Sequence, residues 1–181
     1  MQFQLLPDLE HPQFLLRPLA KQDIRPWSQY LNLPSVYEHT SWDHPTERDL
    51  ELYLGNESKQ EPASLLRLAV ATRSENLLVG TIGYHTVSPP NRSAELAYDL
   101  HPSFWGQGVI QLVGNTVVRW AHLHAGVVRV QATVLESNSR SIASLERLAF
   151  VREGLLASYR FVRGHPRNFY MYAHVLAASA A

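Results

Sequence analysis

The sequence predicts an α/β fold: one domain over residues 1–181, built on a mixed, mostly antiparallel, twisted sheet of about seven strands flanked by about four helices. Three observations carry that expectation. Strand-like segments stand both before and after two helical ones, which gives a mixed sheet and not a doubly wound one. Val109, Leu112, Val113, Val117, Trp120 and Ala121 recur at a 3.6-residue spacing, so residues 109–124 form a helix with one apolar face. Between the preceding strand and that helix lies Phe104-Trp105-Gly106-Gln107-Gly108-Val109, a glycine pair at a strand-to-helix turn.

Taken in order, Gln13 to Arg17 reads as a short strand stopped by Pro18. A helix from about Lys21 to Leu31 follows, with Asp23 and Arg25 expected on its exposed side. Asn32 to Pro45 is a polar, proline-marked connection, and Thr46-Glu47-Arg48-Asp49 opens a second helix that fades near Gly55. After a polar loop, Glu57 to Pro62, the stretches Leu65 to Ala71 and Leu77 to Tyr84 form a hairpin across Ser74-Glu75-Asn76. Pro89-Pro90-Asn91 leads into the strand Ala94 to Leu100, and Val127 to Leu135 follows the long helix. A short helix then precedes a final antiparallel pair, Phe150 to Val162 and Phe169 to Leu176, joined at Gly164-His165-Pro166. The alanine-rich end, Ala177 to Ala181, is expected to fray.

The chain of 181 residues is long enough to bury a core and short for two domains. Its 45% apolar and 18% charged residues are those of an ordinary globular protein. Lys plus Arg and Asp plus Glu number 16 each, so no strong field recruits nucleic acid or an anionic membrane. The absence of cysteine removes disulfides, thiolate metal sites and a cysteine-borne acyl intermediate. No run of eighteen apolar residues is present, and Met1-Gln2-Phe3-Gln4 lacks a basic-then-hydrophobic signal pattern, so the expected compartment is the cytoplasm.

The chemistry begins at the glycine pair. The first N–H groups of a helix have no partner within it, and the aligned peptide dipoles place partial positive charge there. Glycines at such a turn let backbone amides approach phosphate oxygens closely. A second segment adds weight: Val134 to Gly154 runs strand, polar loop (Glu136-Ser137-Asn138-Ser139), short helix, strand. Together these segments resemble the GNAT superfamily of acyl-CoA-dependent N-acetyltransferases, and within it the Rim type that includes ribosomal-protein N-terminal acetyltransferases. The resemblance runs from Leu15-Leu16-Arg17-Pro18-Leu19 to Tyr170-Met171-Tyr172. It implies acetyl-CoA as acyl donor, with its pyrophosphate on the backbone of Trp105, Gly106, Gln107, Gly108, Val109 and Ile110. It also implies a pantetheine arm running as an added strand beside Leu100 and hydrogen-bonded by Asn138. No metal is implied. The family pattern is Gln or Arg, two residues, Gly, one residue, then Gly or Ala. This chain has Trp105, Gly108 and Ile110 at those places, and Ala149 where the family usually has Gly.

Acetyl transfer needs a neutral amine, a stabilised oxyanion and a leaving thiolate. Glu95, on the strand leading to the glycine turn, is the candidate base, acting directly or through water; the alternative is a strand carboxylate facing solvent. Asp99 shares its side of the strand. Ser141, three residues after Asn138, is the candidate acid or sulfur ligand, with helix capping as its alternative, shared with Ser139 and Ser144. Tyr98, Tyr159, Tyr170 and Tyr172 are fallback acids, and a backbone N–H near Leu100 is the candidate oxyanion donor. His122 and His124 lie two apart on a helix, cannot share a metal, and are expected to be solvated. Trp27, Tyr30, Tyr37 and Trp42 either shape an acceptor pocket or pack. Arg160, Arg163 and Arg167 either meet an acidic group or line a solvated loop.

The expected acceptor is a primary amine, either a protein N-terminal α-amino group or a small amine such as an amino acid or an antibiotic. A non-catalytic acyl-CoA-binding module is the alternative outside enzymes. Analogy with related folds adds a homodimer paired through the final strands.

Overall fold

Ala94, Leu96, Tyr98 and Leu100 alternate with Glu95, Ala97 and Asp99, so the strand they form presents one face to each of two helical layers. In the computed structural model, which describes residues 6–55 and 66–176, that strand lies at the centre of a seven-stranded sheet. The elements are β1 (Phe14–Pro18), α1 (Lys21–Leu31), α2 (Pro34–Tyr37), α3 (Glu47–Glu51), β2 (Leu66–Thr72), β3 (Leu78–Ser88) and β4 (Ser93–Leu100). After a 3₁₀ turn at Pro102–Phe104 come α4 (Val109–His124), β5 (Arg129–Leu135), α5 (Ser139–Arg147), β6 (Val151–Val162) and β7 (His165–Val175). The strand order is β1-β2-β3-β4-β5-β7-β6, and only β4 and β5 run parallel. The expected loop Glu57 to Pro62, the first residue of the expected Leu65 strand, and Ala177 to Ala181 lie outside the described residues.

One face of the sheet packs on α4 and α5. Leu68, Val70, Ile82, Tyr84, Leu96 and Leu100 meet Val109, Val113, Val117 and Ala121, and Tyr84 Oη donates to Val117 O at 3.0 Å. The other face receives α1 and α3, where Ile24, Trp27, Leu31 and Leu50 bury against Ala69. Thr46 caps α3 reciprocally: its Oγ1 accepts from Asp49 N at 3.3 Å while Asp49 Oδ2 accepts from Thr46 N at 2.9 Å.

Several expectations need correcting. Asp23 is not exposed; at 2% exposure it accepts from Ala20 N (2.8 Å) and from both terminal nitrogens of Arg17 (2.6 and 2.8 Å), tying α1 to β1. His122 is buried, with Nδ1 at 2.7 Å from Val127 O and Nε2 at 3.0 Å from His174 Nδ1; His124 alone is exposed. Burial first, and the neighbouring His122 second, lower the pKa of His174. The polar Asn32–Pro45 connection contains the one-turn helix α2, started by Pro34 at its first position. The last hairpin turns at Arg163-Gly164 and not at Gly164-His165-Pro166, because those two residues carry φ of 51° and 74°. That is a two-residue left-handed turn, so β7 starts at His165, opposite Val162.

Ala149 is left-handed, with φ 60°, where α5 ends and β6 begins. Ala149 N donates to Glu146 O and Phe150 N to Leu145 O, each at 3.0 Å. The helix end is thus closed in the usual two-bond way, with alanine costing about 1 kcal/mol relative to glycine. β6, at the sheet edge, leaves Val151, Leu155 and Phe161 exposed.

Candidate active site

The site follows from where β4 and β5 stop pairing. Their parallel register covers only Ser93–Glu95 against Arg129–Gln131, and the rest of β5 pairs with β7 alone. From Leu96 onward the two strands part. Two cavities open at this split, of about 430 and about 420 Å³. Their walls share His39, Thr40, Tyr98, Asp99, Asn138 and Ser141.

The first cavity lies against the start of α4. Gly108, the residue before that helix, has φ 75° and no side chain to cap it, and Gly106 has φ 74°. A Cβ at either position would meet no atom of the described residues within 4 Å, and both glycines line the cavity, so the space they leave is open to a ligand. The N–H groups of the first turn of α4 face that end uncapped, with the dipole adding positive character. Trp105 forms the wall: its Nε1 donates to Leu100 O at 2.9 Å, and the Arg140 guanidinium lies 3.9 Å from its ring centroid. Gln107 contributes no side chain there, since its Nε2 donates back to Ser103 O at 2.7 Å. Val109 and Ile110 turn their side chains into the core, at 2% and 8% exposure. The bulk of Ile110 is therefore accommodated by the sheet side of α4. Arg147 completes the basic rim. A cradle of free backbone donors bordered by two arginines fits a pyrophosphate.

At the junction, Tyr98 Oη lies 2.8 Å from Ser141 Oγ and donates to Ser141 O at 3.2 Å. Burial raises the Tyr98 phenol to about 12 despite the opposing hydrogen bonds to Ser141 and Ser144, so it stays protonated. Asn138 caps α5, with Oδ1 accepting from Ser141 N at 3.0 Å, while its Nδ2 donates to His39 O at 3.0 Å. The capping role of this segment thus falls to Asn138, which leaves the Ser141 hydroxyl for Tyr98 and the cavity.

The second cavity runs toward α3 and the last hairpin, with Trp42, Tyr53 and Phe169 in its walls. Trp27 and Tyr30 are core residues, at 0% and 2% exposure, whereas Trp42 reaches the cavity. Glu95 is buried beneath it. Its Oε1 accepts from Thr133 Oγ1 (2.7 Å) and pairs with His85 Nε2 (3.2 Å) and Arg160 Nη2 (3.3 Å). Burial alone would raise this carboxyl, but hydrogen bonds from His85 and Thr133 and the charges of His85 and Arg160 outweigh it and lower the pKa to about 2. That environment stabilises the ion and makes Glu95 a weak proton acceptor. His85 reaches it because a bulge between Tyr84 and Thr86 turns the imidazole toward the strand.

Asp99 is also fully engaged. It accepts from Tyr30 Oη, from Arg67 Nη2 and from Thr81 Oγ1 (2.7 Å), and Arg67 Nε donates to the same threonine oxygen at 2.7 Å. Burial first, then the Asp99 charge, push the Tyr30 phenol well above its ordinary value, so it remains a donor. Arg163 lines neither cavity but ties the last hairpin to the loop after α2, donating to Tyr37 O (2.9 Å), Glu38 O (3.0 Å) and Thr40 O (3.2 Å). Arg167 is half-buried in β7 and lines neither cavity; Tyr159, Tyr170 and Tyr172 likewise stand outside both. Sequence reasoning missed His39, Arg67, Thr81 and His85. None sits in a local pattern; each is brought to the site by pairing or by a loop contact.

A glycine turn before a helix, a split parallel pair and a cavity on each side of the split define an acyl-CoA-type acyltransferase architecture. The pattern of the acetyltransferase (GNAT) domain matches residues 13–151, and the chain belongs to that family. It is 25% identical over 173 residues to the uncharacterized N-acetyltransferase YoaA of Bacillus subtilis, covering 94% of this chain and 98% of that one. It is 26% identical over 106 residues to the ribosomal-protein-serine acetyltransferase of Escherichia coli, covering 56% and 57%, a relative of the Rim type. Among solved structures, spermidine N-acetyltransferase from Vibrio cholerae, in complex with CoA and spermine, superposes with a TM-score of 0.77 at 21% identity, covering 91% and 96%.

Proposed function

We propose that the chain transfers the acetyl group of acetyl-CoA to an α-amino group, that of a peptide N-terminus, by direct attack of the amine. The observation that carries the acceptor class is the state of the carboxylates. Glu95 is matched by Arg160 and His85, and Asp99 by Arg67, so neither is left to hold an ammonium. Such a pocket favours an amine that sheds its proton easily. An α-amino group, with an ordinary pKa near ~8, does so more readily than a lysine or polyamine nitrogen near ~10.4. Bound acetyl-CoA supplies an activated acyl group. The backbone of Trp105 to Ile110 holds the pyrophosphate, Asn138 and the free edge of β4 toward Leu100 hold the arm, and the Tyr98–Ser141 pair faces the sulfur. The thiolate, with an ordinary pKa near ~8.5, leaves without needing a full proton from either hydroxyl, so their part is hydrogen bonding.

The test is turnover of acetyl-CoA against a panel of seryl and alanyl tripeptides, free amino acids, spermidine and an aminoglycoside. The peptides are expected to be the best acceptors by kcat/KM. Preference for spermidine would contradict the acceptor reading, and coenzyme binding without turnover on any amine would favour a binding module. Ser141→Ala is expected to lower kcat about tenfold, the equivalent of one hydrogen bond, while acetyl-CoA affinity stays nearly constant. Unchanged kcat in stopped-flow or steady-state assays would remove Ser141 from the reaction.

A further inference from the structure

We infer that the acceptor carries a carboxylate near its amine and that Arg160 is the residue that selects for it. The inference rests on the acetyl-transfer reading above and narrows its acceptor. A peptide supplies the carboxylate as an acidic side chain next to its first residue; a free amino acid supplies the same group at its α-carbon.

Arg160 sits where the β6–β7 ladder breaks. The register shifts between Leu156 and Arg160, and inside the break Ser158 is left-handed, with φ 50° and its N–H donated to Asn168 Oδ1 at 2.9 Å. A bulge bends its strand and re-aims side chains, and a non-glycine residue keeps a positive φ only where its surroundings hold it. The Arg160 guanidinium lies 5.4 Å from the ring centroid of Phe169 and 5.0 Å from that of Tyr159, and its Nη2 is 3.3 Å from Glu95 Oε1. Thr133 and His85, the other partners of that oxygen, line the second cavity, as do Phe169 and Arg160 itself. The guanidinium is therefore part of the acceptor wall, and with 32% of its side chain exposed it is open to a solute, unlike Arg67 at 8%.

Its hydrogen bonding is incomplete. Arg17 and Arg129 each grip a carboxylate with two short bonds, 2.6 and 2.8 Å to Asp23 and 2.9 and 2.6 Å to Glu153. Arg160 instead makes one long contact, with an oxygen that already accepts from Thr133 and pairs with His85. Its Nη1 and Nε have no hydrogen-bond partner among the described residues. A guanidinium offers five N–H donors in a planar fork that suits a carboxylate taking two of them. The two aromatic rings hold the group in place, so its open edge is set before a ligand arrives. Glu95 is also held by His85 and Thr133, so a second carboxylate can meet that edge without displacing the first. Arg67 and Asp99, the other permanent charges of this wall, close on each other. Arg160 is thus the permanent charge in the wall, among the described residues, with donors to spare, and it attracts an anion while repelling a second ammonium.

The experiment measures kcat/KM with acetyl-CoA for two matched pairs of acceptors: seryl-aspartyl-alaninamide against seryl-asparaginyl-alaninamide, and free serine against serinamide. The terminal amides remove every carboxylate except the one in question. The parent chain is expected to prefer the aspartyl peptide to its asparaginyl twin by about tenfold or more, the effect of one hydrogen bond to a charged group. Arg160→Gln is expected to bring that ratio close to one, and Arg160→Lys, which keeps the charge without the fork, to retain part of it. The ratio within a pair cancels any general loss from disturbing Glu95, which a merely structural arginine would spread equally over both members. A ratio near one for both pairs in the parent, or a ratio that survives Arg160→Gln, overturns the inference. A preference shown only by free serine, and abolished in Arg160→Gln, keeps Arg160 as the selecting residue and overturns the peptide acceptor alone. No turnover of any of the four overturns both.

Discussion

Gly108→Val binds acetyl-CoA about a hundredfold more weakly than the parent chain, or not at all. The residue carries φ 75°, and the space where a Cβ would stand holds no atom of the described residues within 4 Å and opens into the first cavity. A β-branched side chain there occupies the volume in front of the first-turn N–H groups of α4. Losing two charge-assisted hydrogen bonds at the low end of their range, ~1.5 kcal/mol each, gives ~3 kcal/mol, which is the hundredfold. The left-handed backbone adds a folding cost of about 1–2 kcal/mol. Gly55→Val separates the two effects, because Gly55 has φ 69°, no atom of the described residues within 4 Å of an added Cβ, and no place in either cavity. That variant is expected to lose comparable stability and no affinity. Calorimetric titration reads both; parent-like affinity in Gly108→Val would mean the turn does not hold the coenzyme.

Asp99→Ala is expected to be the most destabilising single change at the site. Its carboxylate, 9% exposed, is the acceptor for Tyr30, Thr81 and Arg67, and Arg67 is itself 7% exposed. Removing the anion leaves a buried guanidinium without a counter-charge, which costs about 3–5 kcal/mol. For a domain of this size that is a drop of roughly 6–20 °C in Tm. Arg67→Met in the same chain removes the stranded charge and is expected to recover much of the loss. A single variant that unfolds within a degree or two of the parent by calorimetry would show that the network is not a stabilising element.

The predicted strands and helices were legible because each rests on a local signal. Helix α1 covers the Lys21–Leu31 stretch read for it, and α4 covers the whole Val109–His124 repeat. The glycine turn was legible for the same reason: two glycines between a strand and a helix report a backbone requirement, and both are left-handed. What stayed hidden depends on partners distant in sequence. Asp99 reads as a strand carboxylate until β2, β3 and α1 bring donors from 32, 18 and 69 residues away. His122 reads as a solvated helix end until β7 places His174 beside it, 52 residues on. The shift of the last turn to Arg163-Gly164 needed the knowledge that an arginine adopts the left-handed region, which its guanidinium, bound to three carbonyls of the α2 loop, helps to hold. His39 carries no local mark at all, and only the folded chain brings it to the wall shared by the two cavities.

The central claim is that the cavity at the start of α4 seats the coenzyme, and titration of the parent chain with acetyl-CoA in a calorimeter tests it most directly. The account predicts saturable binding at one site, shared by dephospho-CoA because that compound keeps the pyrophosphate the glycine turn would hold. Absence of binding heat with either compound, at concentrations where the folded chain is intact, would contradict it.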